Sequence, residues 1–361
     1  TGALAGENRA FEAACHRSGA IQVEDMQELL DASLALDYCQ PLSGPGIALI
    51  TNAGGPAAVG ADALDRQGLH LVELSAETQE RLRDVCPPGT MTRNPVDMLG
   101  GAEPRHFQTA LEVLFDASEV DGILTVFVPQ ALTGPPEVAR AVGQAAMGAT
   151  KPLVCSIYGG TDIHEAARIL HQSAVPHYLT PARAAFGLGT LWRYRHVRTR
   201  PNLDPEPVTR VDQNRVKELL EAEEGAGRRF VDTHTGAEMA DAYGILVPPS
   251  GLVATGEEVL DLANRVGYPV VLKRVAPGVV HKSDVGGVAL NLEGSRDVRD
   301  AFEDIVGPGE LAFVQKMAPE GLEVIVGAKR DRQFGPLVMF GMGGVYVEVL
   351  EDVSFRLAPL N

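Results

Sequence analysis

IALITNAGGP, residues 47–56, decides how the first half of this chain is read. The apolar run Ile47 to Thr51 fits a strand buried on both faces, and such a strand needs a sheet with helices on each side. Asn52 to Gly55 break the run with a turn. Pro56 is then read as the first helical position, where its missing N–H costs nothing.

Outward from this stretch the alternation continues. LHLVEL (69–74), GILTVFV (122–128), PLVCSIY (152–158) and VPHYL (175–179) read as further strands, with helical segments at 76–85, 104–117, 135–147, 162–173 and 181–195. Five strands alternating with helices predict an α/β fold, a flavodoxin-like doubly wound parallel sheet over 41–197. Upstream, 1–40 reads as helical, with Met26, Leu29, Leu30 and Leu34 at helical spacing, and QPLSGPG (40–46) marks a boundary. Downstream, 198–225 reads as a linker, proline-rich over 198–212 and then a charged helix.

The pattern changes after Gly225. Thr235 with Glu238 and Thr255 with Glu258 read as capping boxes opening two helices, which Gly244 and Gly267 should close. VVLKRV (270–275), VALNL (288–292), AFVQKM (312–317), LEVIVGAKR (322–330), PLVMFG (336–341) and VYVEVL (345–350) read as strands, with a helix at about 296–306 and a hairpin turning at Asp331–Gly335. Helices mixed with antiparallel pairs indicate a second, α+β domain over 226–361.

Composition narrows the function classes. A net charge of -17 argues against a nucleic-acid partner, since phosphate backbones are met by clustered Lys and Arg. Cys15, Cys39, Cys86 and Cys155 are far apart, without metal-ligand spacing, and read as free thiols in a reducing compartment. No apolar run approaches the ~18 residues that a membrane-spanning helix needs, so a cytoplasmic protein without a membrane partner is expected. The chain opens inside a TGALAG turn and stops just after VSFRLAPL, so it reads as a piece of a longer polypeptide.

Four places carry residues suited to chemistry. At Asn52, Gly54 and Gly55 the glycines let backbone approach an anion at a helix N-terminus, although they equally suit a plain strand–helix turn. In 270–288, Lys273 ends a strand beside a glycine-containing loop bearing His281; a lysine so placed can hold phosphates, and an imidazole can attack phosphorus, while a polar surface loop explains the same residues. Gln315, Lys316 and Met317 can offer backbone groups to an adenine edge, with Met317 packed on the ring. Gly343 and Gly344 suit a turn over phosphates, and Glu348 and Asp352 are hard oxygen donors for Mg²⁺. In NPVD (94–97), Asn-Pro is a turn signal and Asp97 suits a cap of the segment after it.

Taken in order, TGALAG (1–6), ITNAGGP (50–56), NPVD (94–97), VVLK with HKSDVGGV (270–288), VQKM with Glu323 (314–323) and FGMGGVYVEVLEDVSFRLAPL (340–360) resemble the ADP-forming acetyl-CoA (acyl-CoA) synthetases, relatives of succinyl-CoA synthetase. The resemblance implies that 1–40 is the tail of a phosphohistidine-bearing domain, 41–197 a ligase-CoA domain, and 226–361 a C-terminally incomplete ATP-grasp domain. It implies the reaction acyl-CoA + ADP + phosphate ⇌ carboxylic acid + CoA + ATP, with Mg²⁺. His281 would be the second of two phosphohistidines, relaying phosphoryl to the nucleotide, and the helix start at Asn52–Gly55 would hold the first. Lys273 would meet nucleotide phosphates, Gln315–Met317 the adenine, Glu323 the ribose, and Glu348 or Asp352 the metal. The first phosphohistidine would directly precede Thr1, so this piece alone is not expected to turn over. Small-molecule substrates and a homo-oligomer are the expected partners.

Two other readings compete. The same architecture serves as a non-catalytic, regulatory ligase-like region in some protein lysine acetyltransferases. An ATP-grasp carboxylate–amine ligase without CoA is the other, and the flavodoxin-like half disfavours it.

Overall fold

In the computed structural model, which describes residues 8–130, 133–159, 162–201, 211–228, 230–275, 287–343 and 353–360, strand β1 (Gly46–Thr51) has all six residues buried. Side chains alternate along a strand, and the two sets enter different clusters: Ile47 and Leu49 one, Ala48 and Ile50 the other. A strand can be apolar throughout because each face is covered.

In chain order this first unit holds α1 (Asn8–Ser18), α2 (Met26–Tyr38), β1, α3 (Gly54–Arg66), β2 (His70–Leu71), α4 (Ala76–Val85), β3 (Val96–Asp97), α5 (Pro104–Asp116), β4 (Gly122–Phe127), α6 (Pro135–Ala145), β5 (Leu153–Ile157), α7 (Ile163–Gln172), β6 (His177–Tyr178) and α8 (Pro181–Thr199). The strands run parallel in the order β2-β1-β4-β5-β6, and β3 pairs with the last residues of β1, beyond the end of β2. Counting β2 and β3 as one edge gives the flavodoxin-like order, which reverses direction between β1 and β4. Helices α2, α3 and α8 cover one face, and α4 to α7 cover the other.

Two predicted strands shrink to two-residue pairings. In 69–74, Leu69 and Leu74 are buried by packing rather than by a ladder. Strand β3 was not foreseen, since two residues carry no periodicity. Helix α3 begins at Gly54, so Pro56 is its third residue rather than its first; proline is tolerated there because first-turn N–H groups lack intrahelical partners.

Helix α2, which the sequence reading places in a preceding domain, docks on α8. Asp31 is 4% exposed. It receives Arg183 at 2.7 Å (Nε to Oδ2) and 2.5 Å (Nη2 to Oδ1), and Tyr178 donates its hydroxyl to the Asp31 carbonyl at 3.1 Å.

The second unit holds α9 (Gln213–Gly225), α10 (Thr233–Ala242), β7 (Ser250–Val253), α11 (Gly256–Val266), β8 (Val270–Val275), β9 (Val288–Leu292), α12 (Ser295–Ile305) and β10 (Leu311–Lys316). Its sheet is antiparallel, in the order β7-β10-β8-β9. Val259, Leu262 and Ala263 of α11 pack with Val270, Leu272 and Val314 under it. The capping box of Thr255 and Glu258 opens α11, and Gly267, at φ 83°, closes it. For α10 the cap is Asp232 instead of Thr235: its carboxylate accepts from the N–H groups of His234 and Thr235.

Strands β11 (Val324–Asp331), β12 (Gly335–Met342) and β13 (Val353–Leu357) form a third sheet in that order. At the β11–β12 turn the Asp331 carboxylate accepts from the N–H groups of Gln333 and Phe334, which hold it below the ordinary carboxylate range. Residues 326–340 and 353–360 group with the first unit, where Leu337, Phe334, Phe355 and Leu357 pack against Ala10 and Ala13 of α1. Val324 and Ile325 of β11, and residues 341–343, group with the second. The predicted strand 345–350 lies outside the described residues.

Candidate functional site

At the end of β1 the chain turns within two residues. Thr51 Oγ1 accepts from the Ala53 N–H at 3.0 Å and donates to the Ala53 carbonyl at 3.1 Å. Asn52, 3% exposed, grips Val128 at the end of β4: its Nδ2 donates to the Val128 carbonyl at 2.8 Å, and its Oδ1 accepts from the Val128 N–H at 2.9 Å. This joins the two strands at the point where sheet order reverses, the crevice in which open α/β sheets bind ligands. The Asn52 carboxamide is thereby committed to protein backbone.

Gly54 and Gly55 are the first two residues of α3. The N-cap is Ala53, with no oxygen to offer, and no side chain caps the turn. Pro56 has no N–H, so the glycine N–H groups are the ones that this helix start presents with its positive dipole end. A Cβ on Gly55 would meet nothing within 4 Å, and one on Gly54 would lie 3.5 Å from Asp97 Oδ2.

That carboxylate comes from the NPVD motif. Asp97 pairs with Thr51 across β3 and β1, and its Oδ1 accepts from the Leu99 N–H at 2.9 Å, the capping role expected of it. Leu99 sits at φ 59°, an uncommon backbone for leucine. Asn94 is a clamp, accepting from the Leu49 N–H and donating to the carbonyls of Ile47 and Val72. The nearness of Asp97 to Gly54 was missed from sequence, because it depends on β3.

In the second unit the antiparallel register of β8 and β10 sets Phe313 opposite Lys273 and Gln315 opposite Val271. Lys273 and Gln315 are thus diagonal neighbours, and Lys273 Nζ donates to Gln315 Oε1 at 3.1 Å. The same ammonium lies 5.8 Å from the centroid of the buried Phe313 ring, which is also 6.1 Å from the His234 ring. Two of the expected nucleotide residues are therefore brought together, on a scaffold that includes two residues the sequence did not flag.

The neighbouring positions are used differently from expectation. The N–H groups of Lys316 and Met317 donate to the carbonyls of Pro249 and Pro269, both at 2.9 Å, and Lys316 Nζ donates to the Tyr268 carbonyl. These amides are engaged by backbone carbonyls, which leaves the carbonyls of the segment as its groups for an adenine edge. Farther along, the Gly343 N–H donates to the Glu323 carbonyl at 2.8 Å, and a Cβ at Gly343 would meet the Glu323 backbone at 2.9 Å. The structure thus joins Glu323 and Gly343. His281, Gly344, Glu348 and Asp352 lie outside the described residues. Among the described residues no His, Cys, Asp and Glu group of three or more is placed to hold a metal ion, and no helix is long and apolar enough to cross a membrane.

Comparison with known proteins agrees with this two-part reading. A ligase-CoA domain model matches residues 47–202, and an ATP-grasp domain model matches 222–361. An ADP-forming acetate–CoA ligase I of Archaeoglobus fulgidus is 40% identical over all of this chain and 53% of its own length. The beta subunit of an ADP-forming acetate–CoA ligase I of Pyrococcus furiosus is 40% identical over 41% of this chain and 67% of its own. In structure, the apo form of a dinucleotide-forming acetyl-coenzyme A synthetase 1 of Ca. Korarchaeum cryptofilum superposes with a TM-score of 0.52 at 24% identity, over 54% of this chain and 43% of that one, a likeness of fold. The chain spans about half the length of the full-length curated relative it matches.

Proposed function

Since the chain belongs to the ADP-forming acyl-CoA synthetase family, we propose that it serves the interconversion of acyl-CoA, ADP and phosphate with carboxylic acid, CoA and ATP. One observation carries the reading: a single chain presents an uncapped glycine helix start at a parallel-sheet switch point and, in an ATP-grasp domain, a lysine held on the sheet. The first suits a phosphoryl group and the second a nucleotide phosphate.

The chemistry divides into four transfers. Phosphate attacks the thioester carbonyl and CoA leaves as thiolate, giving an acyl phosphate. An imidazole nitrogen of the first histidine then attacks phosphorus and the carboxylate leaves. The imidazole of His281 next attacks that phosphorus and releases the first imidazole. Finally a β-phosphate oxygen of ADP attacks the phosphohistidine and releases the imidazole of His281. In this scheme the N–H groups of Gly54 and Gly55 hold the phosphoryl group at the acyl site, and His281 carries it onward. Lys273 meets the nucleotide phosphates, with Gly343 and Gly344 turning over them. Met317 packs on the base, whose polar edge meets carbonyls of the 315–317 segment, and Glu323 reaches the ribose. Mg²⁺ accompanies the nucleotide, with Glu348 and Asp352 as its proposed ligands.

The proposal places the protein in the cytoplasm, acting on small molecules as a homo-oligomer. The natural-length protein tests it: with ATP, acetate and CoA, phosphorus NMR should show ADP and phosphate accumulating as CoA is consumed. Release of AMP and pyrophosphate, or CoA consumption without nucleotide turnover, would refute it.

A further inference from the structure

Lys273 projects from the sheet of the second unit, and a lysine side chain has enough rotamers to lose its aim. Its neighbours restrict it, among them Gln315 Oε1 at 3.1 Å from Nζ and the Phe313 ring with its centroid 5.8 Å away. Phe313 is fully buried between β7 and β8 and cannot swing. Gln315 lies in the same strand, two residues on, and its backbone is fixed by pairing with Ser250 and Val271. A half-buried lysine therefore has a rigid aromatic neighbour and a rigidly mounted hydrogen-bond acceptor.

The identity of that acceptor matters. A glutamate in this place would hold the ammonium as well or better, because ionic hydrogen bonds are roughly twice as strong as neutral ones. It would also place a negative charge about 3 Å from the group meant to meet phosphate, in surroundings where the effective dielectric is far below that of water. A carboxamide orients without adding charge.

We propose that Gln315 is a positioning residue for nucleotide binding: its carboxamide oxygen aims Lys273 at the phosphates of the bound nucleotide while leaving the local field positive. This gives the Gln315 side chain a role at the phosphates, beside the backbone role of the 315–317 segment at the base. The proposal rests on the reading of this domain as a nucleotide site, and it adds a selectivity that this reading does not contain. Changes at Gln315 should act on the phosphate part of the ligand and spare the nucleoside part.

The test is calorimetric titration of the natural-length protein with ADP and, separately, with adenosine, for wild type, Gln315→Met and Gln315→Glu. Methionine keeps the length and removes the acceptor; glutamate keeps the acceptor and adds charge. ADP affinity should fall about threefold in Gln315→Met and on the order of tenfold or more in Gln315→Glu. Adenosine affinity should change by less than about twofold in both, and the Gln315→Glu loss should shrink as salt is raised. A purely structural role would weaken ADP and adenosine together in both variants, which overturns the proposal. So does ADP affinity in Gln315→Glu equal to wild type. Wild type that binds neither ligand overturns the nucleotide reading itself, a different failure from either of these.

Discussion

Ala53→Ser at the N-cap of α3 should raise stability and harm function at once. The backbone of Ala53, at φ -152° and ψ 114°, already has N-cap geometry, so a hydroxyl can be added without rearrangement. Replacing alanine by serine at an N-cap is worth about 0.5–2 kcal/mol. The lower part of that range applies here, since Pro56 at the third position has no N–H and Gly55 is the one cap donor within reach. About 0.5–1 kcal/mol corresponds to a rise of roughly 1–4 °C in melting temperature for a unit of this size. The same hydroxyl would take the donor that the proposal assigns to the phosphoryl group. A hydrogen bond to a charged partner contributes about 1.5–3 kcal/mol, so phosphate should bind ten- to a hundredfold less well. Scanning calorimetry and the KM for phosphate in the ATP-forming direction measure the two sides, with Ala53→Val, which adds no acceptor, as control. A serine variant with unchanged melting temperature and unchanged phosphate KM would show that these N–H groups are not held in reserve for an anion, and the reasoning would fail.

Further expectations concern what holds the first unit. Arg183→Ala leaves Asp31 buried without its cationic partner, with Gln27 still donating to its carboxylate, and should cost about 3 kcal/mol in urea denaturation, while the Asp31→Leu/Arg183→Leu pair should recover most of it; a loss under about 1 kcal/mol for the single variant would contradict this. Burial pushes His177 down to about 4, with the positive charges of His171 and Arg183 adding to the effect. The unfolded chain, titrating near the usual value of about 6.5, then binds more protons between these limits, so this contribution is present above about 6.5 and is lost as pH falls toward 4, at most about 3 kcal/mol. His177→Gln should flatten that part of the stability–pH curve, and an unchanged slope would remove His177 as its cause.

The parallel sheet was legible because burial on both faces writes itself into sequence as unbroken apolar runs, as in β1, β4 and β5. The helix starts followed from local chemistry, although at α10 a nearer Asp232 outcompeted Thr235. Strand β3 escaped because its pairing is enforced by β1 rather than by any pattern of its own, and with it escaped the placement of Asp97 beside Gly54. The same limit explains Asn52 and Lys316. Residue type marked both as able to meet a ligand, but their committed partners, Val128 and Tyr268, lie 76 and 48 residues away and are visible only in three dimensions. Lys273 and Gln315 were each read correctly as polar residues in strands, and the contact between them needed the register of β8 against β10.

The central proposal is that an imidazole carries the phosphoryl group to the nucleotide. The most direct measurement is to incubate the natural-length protein with [γ-³²P]ATP, digest it, and locate acid-labile, base-stable label by peptide mapping. The account predicts label on the peptide containing His281, and loss of both that label and net ATP synthesis in His281→Ala. Full turnover by His281→Ala, with labelled histidine found only elsewhere, would contradict it.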